Sequence, residues 1–170
     1  MRKISYINEA DLEFIFQYIK EILDSPDNPA IDYGADQEGF KRLNGVLQLA
    51  KNNDYYPTIY DKAGYLFTAI IKGHYFSNGN KRLGIMITFW FFFKNKYFFK
   101  LDKINNHVQI LKAFMGIEEI ESDKRLNVPY LVALYNLALL IAGLGEVQSF
   151  QVYKDICSSF FQSTIKPEES

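Results

Sequence analysis

The sequence predicts an all-α fold, a bundle of helices with at most one small β-hairpin. Apolar residues recur at the three- and four-residue spacing of a helix face in several segments, and clusters of Pro, Gly and Asn separate those segments. In the first segment Asn8 is a good N-cap. The residues that then share one face of the helix are Leu12, Ile15, Ile19, Ile22 and Leu23.

Further segments carry the same signal. The run after residue 82 is apolar nearly all round, which is typical of a helix buried on every side, and so we expect it at the centre of the bundle. Segment 52–60 is polar and aromatic with one Pro, and it predicts an extended connection or a small hairpin. A short strand is expected at 97–101. The remaining predicted helices are 36–51, 61–72, 80–94, 104–115, 128–142 and 146–161.

Length and composition set the class of protein. The 170 residues, 48% of them hydrophobic, suit one domain at 1–163 with a polar, frayed tail at 164–170. The net charge of −1 gives no basic surplus for nucleic acid or an anionic membrane. The apolar runs are shorter than a bilayer span and no signal-peptide pattern begins the chain. One cysteine, Cys157, forms no internal disulfide and fits a reducing cytoplasm.

One polar loop stands between two apolar helical runs. Residues 74–82 read His-Tyr-Phe-Ser-Asn-Gly-Asn-Lys-Arg. We expect Gly73 to end the preceding helix in the left-handed conformation that glycine tolerates. Phe76 should pin the loop to the core, and Gly79 leaves room for another group to approach the backbone. The next helix should begin near Asn80.

This loop has the residue types of an anion site with a base beside it. Lys81 and Arg82 fall in the first turn of a helix, where a positive charge opposes the helix dipole at a cost of about 0.3–1 kcal/mol each. A bound phosphate would offset that cost, since helix N–H groups and an arginine fork both bind phosphate. An imidazole at His74 could accept a proton from a hydroxyl. Ordinary structural roles remain open: a hydrogen-bonded core histidine, a surface arginine, a solvated lysine and, at Asn80, a helix cap.

The loop resembles the signature of the Fic/Doc (Fido) family, His-x-Phe-x-Asp/Glu-Gly/Ala-Asn-Gly/Lys-Arg. Within that family it is more similar to the death-on-curing (Doc) branch, because Lys81 stands where adenylyl-transferring Fic proteins have Gly. The preceding segment 56–63 is also similar, and the resemblance covers about 31–96. It implies a Fic/Doc-type helical bundle in which segment 52–60 is a flap that orders the target protein by strand pairing.

The resemblance also implies a reaction, the transfer of part of ATP to a hydroxyl of a target protein with Mg²⁺ as cofactor. His74 would take the hydroxyl proton, while Gly79, Asn80, Lys81 and Arg82 would hold the phosphates. Lys81 favours transfer of the γ-phosphoryl group, as in Doc toxins that modify a translation factor. Transfer of AMP is the alternative. Segments 5–9 and 164–168 match the family's inhibitory Ser/Thr-x-x-x-Glu-Gly/Asn helix only in part, so we expect inhibition by an antitoxin partner.

Asn78 is the main departure from the family pattern. The family has Asp or Glu at this position to hold Mg²⁺, whereas Asn78 offers one neutral oxygen, and hard Mg²⁺ prefers a carboxylate. We therefore expect only weak metal binding at Asn78. A third hypothesis follows, that the chain is a non-catalytic module that binds a nucleotide or a protein. The sequence does not indicate the oligomeric state.

Overall fold

The computed structural model describes residues 3–23, 29, 31–100, 129–143 and 149–168. In these ranges the chain forms six helices and one two-stranded antiparallel sheet, which confirms the all-α class. The elements, in chain order, are α1 (Glu9–Ile22), α2 (Gln37–Leu49), α3 (Ile59–Gly73), α4 (Asn80–Lys94), β1 (Tyr97–Phe99), α5 (Pro129–Gly143), α6 (Phe150–Thr164) and β2 (Ile165–Pro167).

Helix α3 is at the centre of the bundle, in contact with α2, α4, α5 and α6, whereas the sequence predicted this position for α4. Its side chains are buried without a break from Lys62 to Ile71, as expected for a helix with neighbours on several sides. Two glycines let those neighbours approach. A Cβ at Gly64 would lie 2.3 Å from the Ser158 hydroxyl oxygen on α6, and a Cβ at Gly84 on α4 would lie 3.0 Å from Ile71.

The helix starts follow local capping chemistry. Asn8 caps α1, and the Asp11 carboxylate accepts a hydrogen bond from the Asn8 backbone N–H, which completes a capping box. Thr58 and Asp61 form the same arrangement at α3, so that helix begins at Ile59, two residues before the predicted start. Helix α4 has the predicted bounds, while α6 begins later than predicted, at Phe150, and ends later, at Thr164. The predicted helix 104–115 lies outside the described residues.

The hairpin expected at 52–60 is not there, because the structure has no strand in that segment. The side-chain oxygen of Asn52 accepts hydrogen bonds from the backbone of Asp54 and Tyr55, which bends the chain into a turn. Residues 52–58 therefore form a connection that begins with a turn and is not extended throughout, and Ile59 and Tyr60 already belong to α3. The small sheet pairs β1 with β2, which confirms the strand predicted near Tyr97.

The prediction of a frayed tail after Ser163 is wrong for the described residues. Thr164 is the last residue of α6, and Ile165, only 1% exposed, pairs with Phe99 in the sheet. One apolar residue in a polar tail is a weak signal for order in the sequence. The burial of Ile165 against β1 keeps this segment in the sheet. No helix in the described ranges has both the length and the apolar character needed to cross a bilayer.

Asp11 ties α1 to the end of α4. It accepts a hydrogen bond from Trp90 Nε1 over 2.9 Å and an ion-paired hydrogen bond from Lys94. Partial burial raises the pKa of the Asp11 carboxyl, but the hydrogen bonds from Lys94, Trp90 and the Asn8 backbone outweigh it, and the net pKa is lowered. The charged carboxylate therefore stabilises the fold.

We predict that Asp11→Asn lowers the free energy of unfolding by about 1–3 kcal/mol at neutral pH, since it weakens hydrogen bonds to a charged group. The stabilisation is present above the pKa of an unfolded aspartate, about 4, and is lost as the pH falls through the lower folded-state pKa. Urea unfolding at neutral and acidic pH measures both. Glu13→Gln, on the exposed face of α1, is the control and should change stability by less than about 0.5 kcal/mol. A deficit in Asp11→Asn that persists unchanged in acid would contradict this role for the charge.

Candidate active site

The loop between α3 and α4 begins with a strained residue. His74 caps α3 in the left-handed conformation (φ 43°, ψ 49°), which costs a non-glycine residue about 1–3 kcal/mol. The prediction that Gly73 takes this conformation is therefore wrong, since Gly73 is the last residue of the helix. Gly73 is needed for space instead, because a Cβ there would lie 2.3 Å from the Tyr75 ring.

The side chain of Asn80 closes the loop. Its Oδ1 accepts a hydrogen bond from the Phe76 backbone N–H over 3.1 Å, and its Nδ2 donates to the Phe76 carbonyl over 2.7 Å. The residue is 8% exposed, so this pair of hydrogen bonds, which we call the Asn80 clasp, is shielded from water. The N-cap is Gly79 rather than Asn80, and the amide of Asn80 holds the loop instead of reaching outward.

Gly79 occupies a position that only glycine fits. Its φ is 75°, and an added Cβ would lie 2.2 Å from the hydroxyl oxygen of Tyr33. That hydroxyl donates to the Gly79 carbonyl over 3.1 Å. Tyr33 is 1% exposed, and its ring packs edge-on against Phe76 with 5.0 Å between centroids. Burial raises the pKa of Tyr33 to about 12, opposed in part by the charge of Arg82.

Sequence reasoning missed Tyr33. It lies more than forty residues before the loop, and a lone tyrosine in a connecting segment carries no periodic or motif signal. Its Tyr-Gly context is common in turns, so nothing in the sequence distinguished it from a surface tyrosine. In the structure its hydroxyl group supports the backbone at the start of α4 through the hydrogen bond to Gly79.

Arg82 joins the start of α4 to the end of α1. Its Nη1 donates to the carbonyl of Leu23 over 3.0 Å, and its Nη2 donates to the carbonyl of Pro29 over 3.2 Å. Leu23 is the C-cap of α1, where backbone carbonyls lack partners within the helix. The sequence predicted a phosphate contact at Arg82, and these bonds add a structural role. Lys81, the next residue back, is exposed.

A cleft of about 270 Å³ opens at this loop. It brings together all of the predicted site residues and adds side chains from α3 and α5 that the sequence did not indicate. Three of the residues that line the cleft, a histidine, a lysine and an arginine, have basic side chains. Neither Asp nor Glu occurs among its described lining residues. Those residues are Ile71, His74, Ser77, Asn78, Gly79, Asn80, Lys81, Arg82, Tyr135 and Ala142.

The start of α4 faces this cleft. The hydrogen bond from the Leu83 N–H to the Gly79 carbonyl is the first of the helix, so residues 80–82 form the first turn, whose N–H groups precede the helical ladder. The positive end of the helix dipole adds to the charges of Lys81 and Arg82. The arrangement can bind an anion such as phosphate beside an exposed imidazole that can accept a proton.

A larger cleft of about 560 Å³ lies between the N-terminal segment, the start of α3 and the turn before β1. Its lining includes Lys3, Tyr60, Lys94, Lys96 and Tyr97 and shares no residue with the smaller cleft. We place the candidate site in the smaller cleft because its histidine, helix start and basic side chains combine a proton acceptor with an anion site.

The described residues do not fit a Mg²⁺ ion held by the protein. The Asn78 side-chain oxygen is neutral and accepts a hydrogen bond from the Gly79 N–H over 2.7 Å. No cluster of three or more His, Cys, Asp or Glu residues suited to a metal exists in the described ranges. Hard cations prefer carboxylate oxygens, and none lines the described part of the cleft.

We predict that Gly79→Ala lowers the free energy of unfolding by at least about 1 kcal/mol, because the positive φ is strained for alanine and the new Cβ meets the Tyr33 hydroxyl. In a Tyr33→Phe background the contact with the hydroxyl is removed and the nearest ring carbon lies 3.1 Å from the new Cβ, so Gly79→Ala should cost less. A double-mutant cycle by urea unfolding measures this coupling, expected at about 0.5–3 kcal/mol. Equal costs in the two backgrounds would contradict the contact.

We also predict that His74→Gly raises the free energy of unfolding by about 1 kcal/mol, because glycine adopts the left-handed conformation without strain. Lys96→Gly is a matched control, since Lys96 also has a positive φ (59°) and lies outside the cleft. Both variants should gain stability in chemical denaturation. A loss of stability in His74→Gly alone would show that the imidazole makes contacts that outweigh the backbone strain.

The comparisons with known proteins agree with this geometry. The model of the Fic/DOC family matches residues 15–92, a span that contains α2, α3, the loop and every predicted site residue. Neither the curated proteins nor the solved structures gave a match. The family match is a similarity over residues 15–92, less than half of the chain, to the Fic/DOC family, whose members are in general protein-modifying transferases.

Proposed function

We propose that this chain is a Doc-like transferase that moves the γ-phosphoryl group of ATP to a hydroxyl group of a target protein. The observation that carries the proposal is the convergence of His74, Lys81 and the start of α4 on one cleft. A helix start provides a phosphate site, and an imidazole beside it provides a base, and the reaction uses both.

The phosphates of ATP would lie against the first turn of α4. Gly79 has no side chain to obstruct their approach, and the N–H groups of residues 80–82 belong to the turn that receives them. The Asn80 clasp and the hydrogen bond from the Tyr33 hydroxyl hold this backbone in place before the ligand binds. Preorganised donors stabilise developing charge without a reorganisation cost during the reaction.

His74 would act on the hydroxyl of the target residue. As the imidazole nitrogen removes the hydroxyl proton, the oxygen forms a bond to the γ-phosphorus, and the bond from that phosphorus to the bridging oxygen of ADP breaks. ADP carries away the electron pair of the broken bond. Lys81 is exposed at the rim of the cleft, where its ammonium can follow the charge on the transferred group.

The alternative reaction is transfer of AMP, in which the same base acts but the α-phosphorus is attacked. Lys81 favours γ-transfer, because adenylyl-transferring Fic proteins have Gly at this position, whereas the Doc branch, which the sequence resembles more, has Lys. We further propose that the chain acts in the cytoplasm on a translation factor or a similar target, and that a small antitoxin protein inhibits it. These partners follow from the resemblance to Doc toxins.

One observation favours a second candidate, a non-catalytic module that binds a nucleotide or a protein. Asn78 replaces the usual carboxylate, and its side-chain oxygen is hydrogen-bonded to the Gly79 N–H. A chain that had lost catalysis could keep the Asn80 clasp and the helix start, since both also serve the fold. If the chain is such a module, we expect it to bind a nucleotide or a partner protein without transferring a group.

Label transfer from ATP tests the proposed function. The purified chain is incubated with a bacterial lysate in parallel with α-labelled and γ-labelled ATP, with and without Mg²⁺. We expect protein-bound label from γ-labelled ATP only. His74→Asn should reduce the label by at least about 100-fold, since loss of a general base commonly costs that much. Asn is the suitable replacement because it tolerates the left-handed backbone.

Each outcome separates the candidates. Lys96→Gly, the control outside the cleft, should keep the label. Protein-bound label from α-labelled ATP that depends on His74 would replace phosphorylation with AMP transfer. Absence of label from both forms, with ATP still bound to the chain, would overturn the transferase and favour the binding module.

A further inference from the structure

The charge of the cleft differs from that of a site built for a metal–nucleotide complex. Its described lining contains Lys81 and Arg82, with neither Asp nor Glu among them. The first turn of α4 adds the positive end of a helix dipole. A divalent cation brought to this cleft would therefore meet positive charge on the protein side, while a free polyphosphate would be attracted by all of these groups.

Asn78 is the one lining residue at the family's metal position, and its local bonding does not favour a metal. The Gly79 N–H donates to its side-chain oxygen over 2.7 Å, a short bond at the N-cap of α4. A cation on that oxygen would compete with the N–H for its electron density. As an amide, Asn78 also adds no negative charge to offset the dehydration that Mg²⁺ resists.

We propose that this site binds its nucleotide as the metal-free polyphosphate anion, with Lys81 supplying the positive charge that a metal ion provides elsewhere in the family. The inference rests on the proposed nucleotide site, and it adds the ionic form of the ligand and the residue that selects it. Lys81 suits this role because it follows Asn80 in the first turn and is exposed, and a lysine side chain carries its ammonium on a flexible stem.

Calorimetric titration of the full chain with ATP tests the inference without any need for catalysis. Titrations are run in EDTA and in saturating Mg²⁺. We expect the Kd of metal-free ATP to be equal to or lower than that of MgATP. Lys81→Gln should weaken metal-free binding by about tenfold or more, whereas Lys41→Gln, which removes an exposed lysine of α2 outside the cleft lining, should leave it within about twofold.

Asn78→Asp is the reciprocal variant. It restores a carboxylate at the metal position, so Mg²⁺ should now tighten ATP binding by about tenfold or more, and metal-free ATP should bind less well than to the unsubstituted chain. Thermal unfolding of each variant without ligand shows whether the fold is kept. A preference for MgATP that is already present in the unsubstituted chain would overturn the inference.

The failure of this inference can be told apart from the failure of the proposed function. Binding of ATP only with Mg²⁺ would leave the transferase in place and overturn the metal-free site. Binding without Mg²⁺ that does not depend on Lys81 would overturn the role of that lysine. If ATP binds under neither condition, the nucleotide site itself is wrong, and both proposals fall together.

Discussion

The candidate site depends on one buried pair of hydrogen bonds, those between the Asn80 amide and the backbone of Phe76. The clasp satisfies two backbone groups in the loop that the helices leave unpaired, and it fixes the point at which α4 begins. The Tyr33 hydroxyl holds the neighbouring Gly79 carbonyl from the other side. Both hold the backbone at the start of α4, and such preorganisation lowers the conformational cost of binding an anion.

The strain at His74 has its origin in the same loop. Helices α3 and α4 pack closely through Gly84 and Ile71, and the chain has only six residues, 74–79, to pass from one helix to the other. The first of them turns sharply through the left-handed region, and the packing and the Asn80 clasp hold it there. A glycine would fit this turn better, so the presence of histidine is consistent with a role for its imidazole beyond the stability of the fold.

The sequence was most informative where the signal was local. Asn8 and Asp36 mark their helix starts, and the apolar run after Arg82 predicted the bounds of α4, because capping and periodicity act within a few residues. The order of residues in the loop likewise indicated which side chains would meet in the cleft. What could not be predicted is long-range: Tyr33 beneath Gly79, Arg82 on the α1 carbonyl of Leu23, and Ile165 paired with Phe99. Each contact joins segments far apart in the chain, and no local pattern encodes it.

In the function proposed for this chain, nucleotide phosphates bind to the first turn of α4. The most direct measurement is a titration of the isotope-labelled chain with ATP, followed through the backbone amide resonances. We expect saturable shifts for the amides of Gly79, Asn80, Lys81 and Arg82, whereas the resonances of Lys96 and Tyr97 in the larger cleft should not move. Shifts confined to Lys96, Tyr97 and their neighbours, or none in the first turn of α4 at saturating ATP, would contradict it.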